Sequence, residues 1–389
     1  MKIFKSLIST FAIIGLLVLT TGCPKVANGE KTSSPQGMVN FTFFNTVSYV
    51  YSYAGDSQEA FDTNGNAVFG LLQEYHRLFD IYYEHSGINN LRTINLSAGG
   101  DAVEVDQKLI DFLLYAEELY EITDGEMNIM MGAVLSLWHD AREAKTIEGL
   151  YCSYCRKFSS AEECVDNKCP QQDPDSPSDS NAKCQHPVVT FEYELEQRAK
   201  HISFDSLEID AQNCTVRITD PEASIDVGAL GKGYATEKAA QYLQAQGVTG
   251  YALNIGGNLR LIGTKDDGTE WRTGIKDPAN PEQYATILSL SDTSCVTSGD
   301  YERFFMVGRE KYHHIIDKDT LMPATYFRSI SIITQNSGLA DALSTALFCM
   351  SYEDGLELIS RFDDVEVIWI LRDGEMRMTE GVKDLISEQ

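Results

Sequence analysis

A glycine-rich segment at residues 225–234 has residue types suited to binding a phosphate. It reads Ile-Asp-Val-Gly-Ala-Leu-Gly-Lys-Gly-Tyr and is expected to run from a strand into a helix. Glycines at the start of a helix let backbone N–H groups approach an anion, and the helix dipole strengthens the attraction. Lys232 would add a full positive charge. An ordinary strand–helix turn explains the glycines equally well, and the spacing is not that of a P-loop.

A second segment, residues 338–347, carries two oxygen donors on one face of an apolar helix. Asp341 and Thr345 are four residues apart and therefore share a face. A carboxylate and a hydroxyl one turn apart are suitable ligands for Mg²⁺, which usually completes its oxygen shell with water or substrate phosphates. The alternative is structural: Asp341 would lie near an N-cap, and Thr345 would bond back to its own helix.

A third segment offers a base that titrates near neutrality. Residues 296–305 and 312–317 predict two strands joined by a short loop, with His313 and His314 facing opposite ways. Either ring could act as a general base. A strand histidine with a purely structural role is the alternative.

These segments need a scaffold, which the hydrophobic pattern predicts around them. Residues 41–54 predict a strand, and residues 69–83 and 106–123 predict helices, the second of which ends near Gly125. The helix after the glycine turn is expected to end before Gly247.

The N-terminus has the form of an export signal. Lys2 and Lys5 precede a short apolar run, and Cys23 follows small residues, which predicts a signal peptide at 1–22 and a lipidated Cys23. Residues 23–40 would then be a polar tether, and the chain would be anchored on the periplasmic side of a bacterial inner membrane. A plain signal peptide with an incidental cysteine is the alternative.

The charge excludes one class of partner. The chain has 58 acidic and 31 basic residues, for a net charge of −27. Nucleic acid is therefore not an expected partner, because its backbone requires a basic surface. An acidic surface attracts cations but repels anionic ligands, so a phosphate would have to be held by a metal, a lysine or backbone N–H groups.

Residues 150–187 differ from the rest of the chain and predict an insertion. The chain has nine cysteines, and five of them lie here, at 152, 155, 164, 169 and 184. Disulfides are the default in an exported protein, and the odd cysteine would pair elsewhere, for example with Cys214, or stay free. The Cys-x-x-Cys spacing is also compatible with zinc, for which His186 could be a further ligand, and an iron–sulfur site is the third alternative.

Taken together, these motifs resemble the ApbE family of FAD:protein FMN transferases over residues 41–355. The shared stretches occur in the family's order: Gly-Lys-Gly-Tyr-Ala, the strand pair at 253–258, Trp-Arg-Thr-Gly-Ile-Lys-Asp-Pro at 271–278, Thr-Ser-Gly-Asp-Tyr, His-Ile-Ile-Asp, and Ala-Asp-Ala-Leu-Ser-Thr. Upstream, Asp-Gly-Glu-Met-Asn at 124–128 is also similar. The resemblance implies an α+β fold of mixed, largely antiparallel sheets packed with helices, spanning 41–389, with FAD and a metal in a cleft between its two halves.

The resemblance also implies a role for individual residues. Mg²⁺ would be bound by Asp341, Thr345 and the carbonyl of Ala229, and His314 would stand near the reacting phosphate. The residues that would contact FAD are Phe44, Tyr82, Glu126, Met127, Asn128, Asp226, Lys232 and Ile315.

The reaction implied is transfer of FMN from FAD to a Ser/Thr hydroxyl of an exported redox-complex subunit, with release of AMP. Two alternatives remain at this stage: an Mg²⁺-dependent FAD pyrophosphatase, and a lipoprotein that binds FAD without turnover. This sequence departs from the family pattern at Phe44-Asn45-Thr46 and at Met127-Asn128, where flavin would be held.

Overall fold

The computed structural model describes residues 34–147, 150–152, 157–159 and 188–387. The predicted signal peptide, Cys23 and most of the cysteine insertion lie outside these residues. Among the described helices, none combines the length and the apolar character needed to cross a membrane.

The described chain contains both strands and α-helices, and eight successive strands lie between Tyr251 and Thr334 without a helix. The strands are β1 (Gln36–Asn40), β2 (Ser48–Ser52), β3 (Val103–Glu104), β4 (Leu150–Cys152), β5 (Lys157–Ser159), β6 (Val188–Val189), β7 (Leu207–Asp210), β8 (Thr215–Ile218), β9 (Tyr251–Ile255), β10 (Asn258–Ile262), β11 (Trp271–Asp277), β12 (Asn280–Leu290), β13 (Ser294–Gly299), β14 (Phe304–Val307), β15 (Glu310–His313), β16 (Phe327–Thr334), β17 (Glu366–Leu371) and β18 (Met376–Met378). The α-helices are α1 (Gln58–Leu78), α2 (Leu91–Leu96), α3 (Gln107–Ile122), α4 (Gly132–Ala144), α5 (Phe191–Arg198), α6 (Gly231–Ala245), α7 (Ser337–Ala346), α8 (Tyr352–Ile359) and α9 (Val382–Leu385).

An antiparallel sheet of eight strands forms the framework, in the order β1-β2-β9-β10-β13-β16-β17-β18. The smaller sheets pair β11 with β12, β14 with β15, β3 and β7 with β8, and β5 and β6 with β4. Every pairing of these strands is antiparallel. The predicted α+β class with largely antiparallel sheets is confirmed, whereas the cleft between two halves stays a prediction.

Helices α1, α6 and α7 pack together beside this sheet because each has an apolar face. In α1 the buried side chains recur at helical spacing, and Ser57 caps its first turn by accepting from the N–H of Ala60. Helix α6 buries Ala235, Ala239 and Leu243, and it ends before Gly247, which has a φ of 73°. The helix predicted after the glycine turn is therefore confirmed.

Near the N-terminus the structure corrects three boundaries. The strand predicted at 41–54 is only Ser48–Ser52, because a turn with left-handed residues Phe44 and Asn45 precedes it. The helix predicted at 69–83 begins at Gln58 and ends at Leu78. The predicted tether, 23–40, ends in strand β1, whose Met38 pairs with Val50 of β2.

The helix predicted at 106–123 is α3, capped by Asp106, and Gly125 follows its end with a φ of 82°. The pairing of cysteines in the insertion lies outside the described residues. Within them, Cys214 has a free thiol whose Sγ is 3.1 Å from Gln107 Oε1.

Candidate active site

The glycine turn brings the start of α6 against α7. Val227 accepts from the N–H groups of Leu230 and Gly231, at 3.1 and 2.8 Å, which closes the turn. The N–H groups of the first helical turn have no partner inside their helix. That of Gly233 donates to Asp341 Oδ2 at 2.8 Å. Asp341 therefore stabilises the start of a neighbouring helix, as a capping side chain does.

Close packing of the two helices depends on the glycine at 233. A Cβ built there would lie 2.4 Å from the Asp341 Cβ and 2.4 Å from the Ser337 carbonyl oxygen, closer than any stable contact. Asn336 caps α7 by accepting from Gly338 at 2.8 Å, which fixes the helix carrying Asp341.

Lys232 joins both segments through one nitrogen. Its Nζ lies 3.4 Å from Asp341 Oδ2 and 3.3 Å from the carbonyl oxygen of Gly228. The glycine turn and the aspartate helix thus meet at the Lys232 ammonium. Burial raises the pKa of Asp341, and the Lys232 ammonium opposes that shift. The predicted ligands are placed as follows: Thr345 is half-buried on the same helix, and Ala229 lies in the turn.

His314 follows the last residue of β15 and is held by the backbone of Arg303. The Arg303 carbonyl accepts from the N–H of His314 at 3.0 Å and lies 3.2 Å from its Nδ1. A carbonyl can only accept, so this contact favours the tautomer with the proton on Nδ1 and a lone pair on Nε2. His314 is exposed to solvent on one side, yet desolvation by the surrounding protein, together with the charges of Arg303 and Lys232, lowers its pKa to about 3.

His313 has a different environment from its neighbour. It is buried, and its Nε2 lies 2.9 Å from the carbonyl of Ala324. The ring also stacks edge-on against Phe348. His313 is buried and His314 is exposed, so the expected opposite orientation is observed. His313 therefore has a structural role in the protein interior.

The β14–β15 hairpin is anchored by a buried carboxylate that sequence reasoning did not single out. Asp300 is 3.0 Å from Lys311 Nζ and 3.8 Å from both Arg328 Nε and Arg372 Nη1. This cluster ties the hairpin that precedes His314 to the main sheet. The Thr-Ser-Gly-Asp-Tyr run contained the signal, because its aspartate directly follows the buried strand β13.

Tyr82 and Asp226 lie on the side of the glycine turn that faces α4. Tyr82 is half-exposed, its backbone is fixed by Asp80, and its Oη is 2.8 Å from His139 Nδ1. Asp226 accepts from the N–H of Gly228 at 2.8 Å through Oδ1. Burial and the charge of Asp226 raise the pKa of Tyr82. These two predicted FAD contacts are therefore close to one another.

Three other residues predicted to contact FAD have the following surroundings. Phe44 is half-buried, packs edge-on against His76, and has a left-handed backbone with φ 52°. Glu126 forms an ion pair of 3.1 Å with Lys318, and burial raises the Glu126 pKa. The amide of Asn128 donates to the carbonyl of Ile202 at 2.9 Å.

Two predicted contacts need correction at the side-chain level. Met127 is 1% exposed in the main hydrophobic core, and Ile315 is 4% exposed in the core behind β16. Buried apolar side chains of this kind cannot line an open cleft. Any contact of these two residues with a ligand would have to involve their backbone.

The structure adds a pocket that the sequence motifs missed. His139 and Arg142 of α4 come together with Arg303 and His314 along its wall. We call these four residues the arginine pocket. The spacing of His139 and Arg142 on one helix face was visible in the sequence, but their proximity to Arg303 was not.

Comparison with known proteins decides the family. The model of the ApbE family matches residues 42–369, most of the chain. The chain belongs to the ApbE family. A relative from Treponema pallidum (strain Nichols), named FAD:protein FMN transferase, is 30% identical over 329 residues, covering 82% of this chain and 80% of that protein. A Vibrio cholerae relative of the same name is 25% identical over 358 residues, covering 92% and 91%.

Solved ApbE structures have the same fold. The ApbE protein of Thermotoga maritima superposes with a TM-score of 0.71 at 25% identity, covering 91% of this chain and 100% of that one. The flavin transferase ApbE of Vibrio cholerae gives a TM-score of 0.67 at 23% identity, covering 90% and 99%. The predicted family is confirmed, and the relatives' names agree with the predicted enzyme class.

Proposed function

We propose that this ApbE-family member is an Mg²⁺-dependent FAD:protein FMN transferase that moves FMN from FAD to a Ser or Thr hydroxyl of an exported protein and releases AMP. The observation that carries the proposal is the meeting of the glycine turn with α7, where Gly228 and Asp341 contact the same Lys232 nitrogen. A dinucleotide with linked phosphates needs such a centre, because the chain as a whole is acidic and repels anions.

The residues at this centre suit Mg²⁺ by the chemistry of their donors. Asp341 supplies a buried carboxylate, Thr345 a hydroxyl one helical turn away, and Ala229 a carbonyl in the turn. Hard oxygen donors are what Mg²⁺ prefers, with phosphates and waters completing its shell. Among the described residues no group of three or more His, Cys, Asp or Glu side chains could hold a metal ion, and the proposed set contains only one such residue. When bound, the ion would withdraw charge from the phosphate.

Lys232 and the start of α6 would hold the phosphates themselves. The Lys232 ammonium lies at the helix start, where the dipole also favours negative charge. Its pairing with Asp341 keeps the ammonium extended toward the centre rather than toward solvent. Phosphoryl transfer requires chiefly this kind of positioning and charge stabilisation.

His314 would accept the proton of the attacking hydroxyl. The acceptor oxygen forms a bond to the phosphorus on the riboflavin side, and the bond from that phosphorus to the bridging oxygen breaks. The electron pair stays on the bridging oxygen, which leaves as part of AMP, and the hydroxyl proton passes to Nε2 of His314. The Arg303 carbonyl, by favouring the proton on Nδ1, keeps Nε2 available for this step.

FAD would be bound between the turn and the aromatic residues around it. Tyr82, Asp226, Phe44, Glu126 and Asn128 supply side chains, and Met127 and Ile315 would contribute only backbone groups. The proposal also includes export and a lipid on Cys23, which would hold the enzyme beside membrane-bound acceptors on the periplasmic side.

One incubation tests the function. Purified protein is mixed with FAD, Mg²⁺ and a candidate exported redox subunit, and the products are measured by mass spectrometry. The proposal expects the mass of FMN added covalently to the subunit, with AMP in equal amount. Free FMN and AMP without modified subunit would indicate an FAD pyrophosphatase, and unchanged FAD bound at one equivalent would indicate a carrier. EDTA in place of Mg²⁺ is the control for metal dependence.

A further inference from the structure

The arginine pocket holds hydrogen-bond donors and positive charge without a matching acceptor among the described residues. Arg142 and Arg303 both lie on its wall. In the described part of the chain neither guanidinium forms an ion pair or a side-chain hydrogen bond. Arg303 is exposed at the mouth of the pocket, and desolvation by the protein around it together with the charge of Arg142 lowers its pKa. Two like charges on one wall repel each other, and an anion bound between them would relieve that repulsion.

His139 adds a further donor to the same wall. Its Nδ1 is 2.8 Å from Tyr82 Oη, and burial lowers the pKa of His139 while it raises that of Tyr82. Near neutral pH the tyrosine is therefore the donor and the ring is uncharged. The ring's own proton is then on Nε2, and the arginine pocket offers both guanidinium groups and one imidazole N–H.

Negative groups near the pocket do not neutralise it. Asp226 influences Tyr82, His139 and Arg303 electrostatically, but it lies beyond ion-pair distance from both arginines, and its Oδ1 is bonded to Gly228. Glu302 influences Arg303 more strongly than Asp226 does, but among the described residues it forms no ion pair with either arginine. In a chain with a net charge of −27, two adjacent unpaired arginines are an unusual local concentration of positive charge.

Resting on the function proposed above, we propose that the arginine pocket binds the adenylate phosphate of FAD and retains it as that group becomes AMP. The pocket adjoins the proposed FAD site, because His314 lines its wall and the Tyr82 hydroxyl lies 2.8 Å from Nδ1 of His139. The adenylate phosphate gains negative charge when the bridging oxygen takes the electron pair. Guanidinium groups are well suited to stabilise such charge because they bind phosphate oxygens in a bidentate manner.

Binding of AMP to the full-length protein tests this subsite without turnover. Titration calorimetry with Mg²⁺ present compares the wild type with Arg142→Gln, Arg303→Gln and the double variant. Each single change should weaken AMP and FAD about tenfold or more, because a charge-assisted hydrogen bond is lost. FMN, which lacks the adenylate phosphate, should bind unchanged. Arg309→Gln, an exposed arginine in the turn of the same hairpin, is the matched control and should have no effect.

Three results would overturn the subsite. One is AMP affinity that changes by less than about twofold in the double variant. Another is an equal loss in Arg309→Gln. The last is a rise in the KM for the acceptor protein with FAD and AMP binding intact, which would assign the pocket to the acceptor. Arg303→Lys should restore part of the AMP affinity if charge is what matters. If a glutamine variant fails to fold, the test is made on the wild-type protein. Its affinity for AMP must then fall more steeply with rising salt concentration than its affinity for riboflavin.

The two proposals fail separately. If the wild-type protein transfers FMN but neither arginine variant changes AMP binding, the proposed function stands and the proposed subsite is wrong. If AMP binding depends on the arginines but no acceptor is modified, the subsite stands and the proposed transferase function is wrong.

Discussion

At the scale of single residues, Asp341 has two partners of different kinds. It accepts from the backbone N–H of Gly233 and pairs with the Lys232 ammonium, while being 4% exposed. The first contact is structural and would be satisfied by any oxygen acceptor. The second requires a charge, as does a metal ion. A substitution that keeps the acceptor but removes the charge therefore separates the two roles.

Asp341→Asn should retain the fold and lose FMN transfer by about 100-fold or more, because the carboxylate charge needed for Mg²⁺ is gone. The measurement is the transfer rate at saturating FAD, with thermal unfolding as a check on folding. Asp363→Asn, at an exposed carboxylate, is the control and should keep full activity. Wild-type activity in Asp341→Asn would remove this residue from the metal site.

His314 has a pKa far below that of an ordinary histidine, which makes a prediction about pH. With the pKa lowered to about 3, the ring of the free enzyme is neutral and able to accept a proton at any pH above that value. As the pH is lowered, kcat/KM should therefore show no decrease with a pKa near 6.5, the usual histidine value. The diphosphate of bound FAD should raise the pKa, so the acid limb of kcat should lie at higher pH.

His314→Gln should reduce the transfer rate about 10²–10⁴-fold, the usual contribution of a general base. His201→Gln, at a half-buried histidine bonded to Asp220, should have little effect. The contradicting result would be a wild-type kcat/KM that falls toward acid pH with a pKa near 6.5, together with the same fall in His314→Gln. That result would show that another group is the base.

At the scale of elements, the site depends on how closely α6 and α7 approach. Glycine at 233 lets the backbone of one helix touch the aspartate of the other. The adjacent hairpin is fixed independently by Asp300, so His314 and Asp341 are positioned by separate parts of the framework.

Gly233→Ala should separate the two helices, because the added methyl would overlap Ser337 and Asp341. The expected cost is about 1–3 kcal/mol of unfolding free energy, as for other overpacked sites, together with weaker Mg²⁺ binding. Chemical denaturation measures the first and activity against Mg²⁺ concentration the second. Gly70→Ala, on an exposed face of α1 with open space around it, should be neutral or stabilising by up to about 1 kcal/mol. Equal stability of the two variants would argue against close helix packing at 233.

At the scale of the whole molecule, an acidic chain would handle an anionic substrate through a local group of positive side chains around the proposed site. Lys232, Arg142 and Arg303 all act on His314 or on each other, although acidic residues outnumber basic ones by 58 to 31. The remaining surface can then stay acidic, which favours solubility and attracts divalent cations.

Cys23→Ser should move the full-length protein from the membrane fraction to the soluble fraction without altering FMN transfer to a soluble acceptor. The reason is that the predicted lipid is attached to this sulfur. Fractionation followed by immunodetection measures the distribution, and Cys214→Ser is the control. A Cys23→Ser protein that remains in the membrane fraction would contradict the lipid anchor.

The sequence by itself determined the class of chemistry and the helices that carry it. Apolar periodicity predicted α3, α6 and α7, and the ordered motifs predicted the family, because both are properties of short stretches. Boundaries were less certain where left-handed residues such as Phe44 interrupt an alternating pattern. Only the tertiary structure decided which distant residues meet: Lys232 with Asp341, and Arg142 with Arg303. It also placed Met127 and Ile315 in the core, because burial depends on what packs against a side chain and not on its neighbours in the sequence.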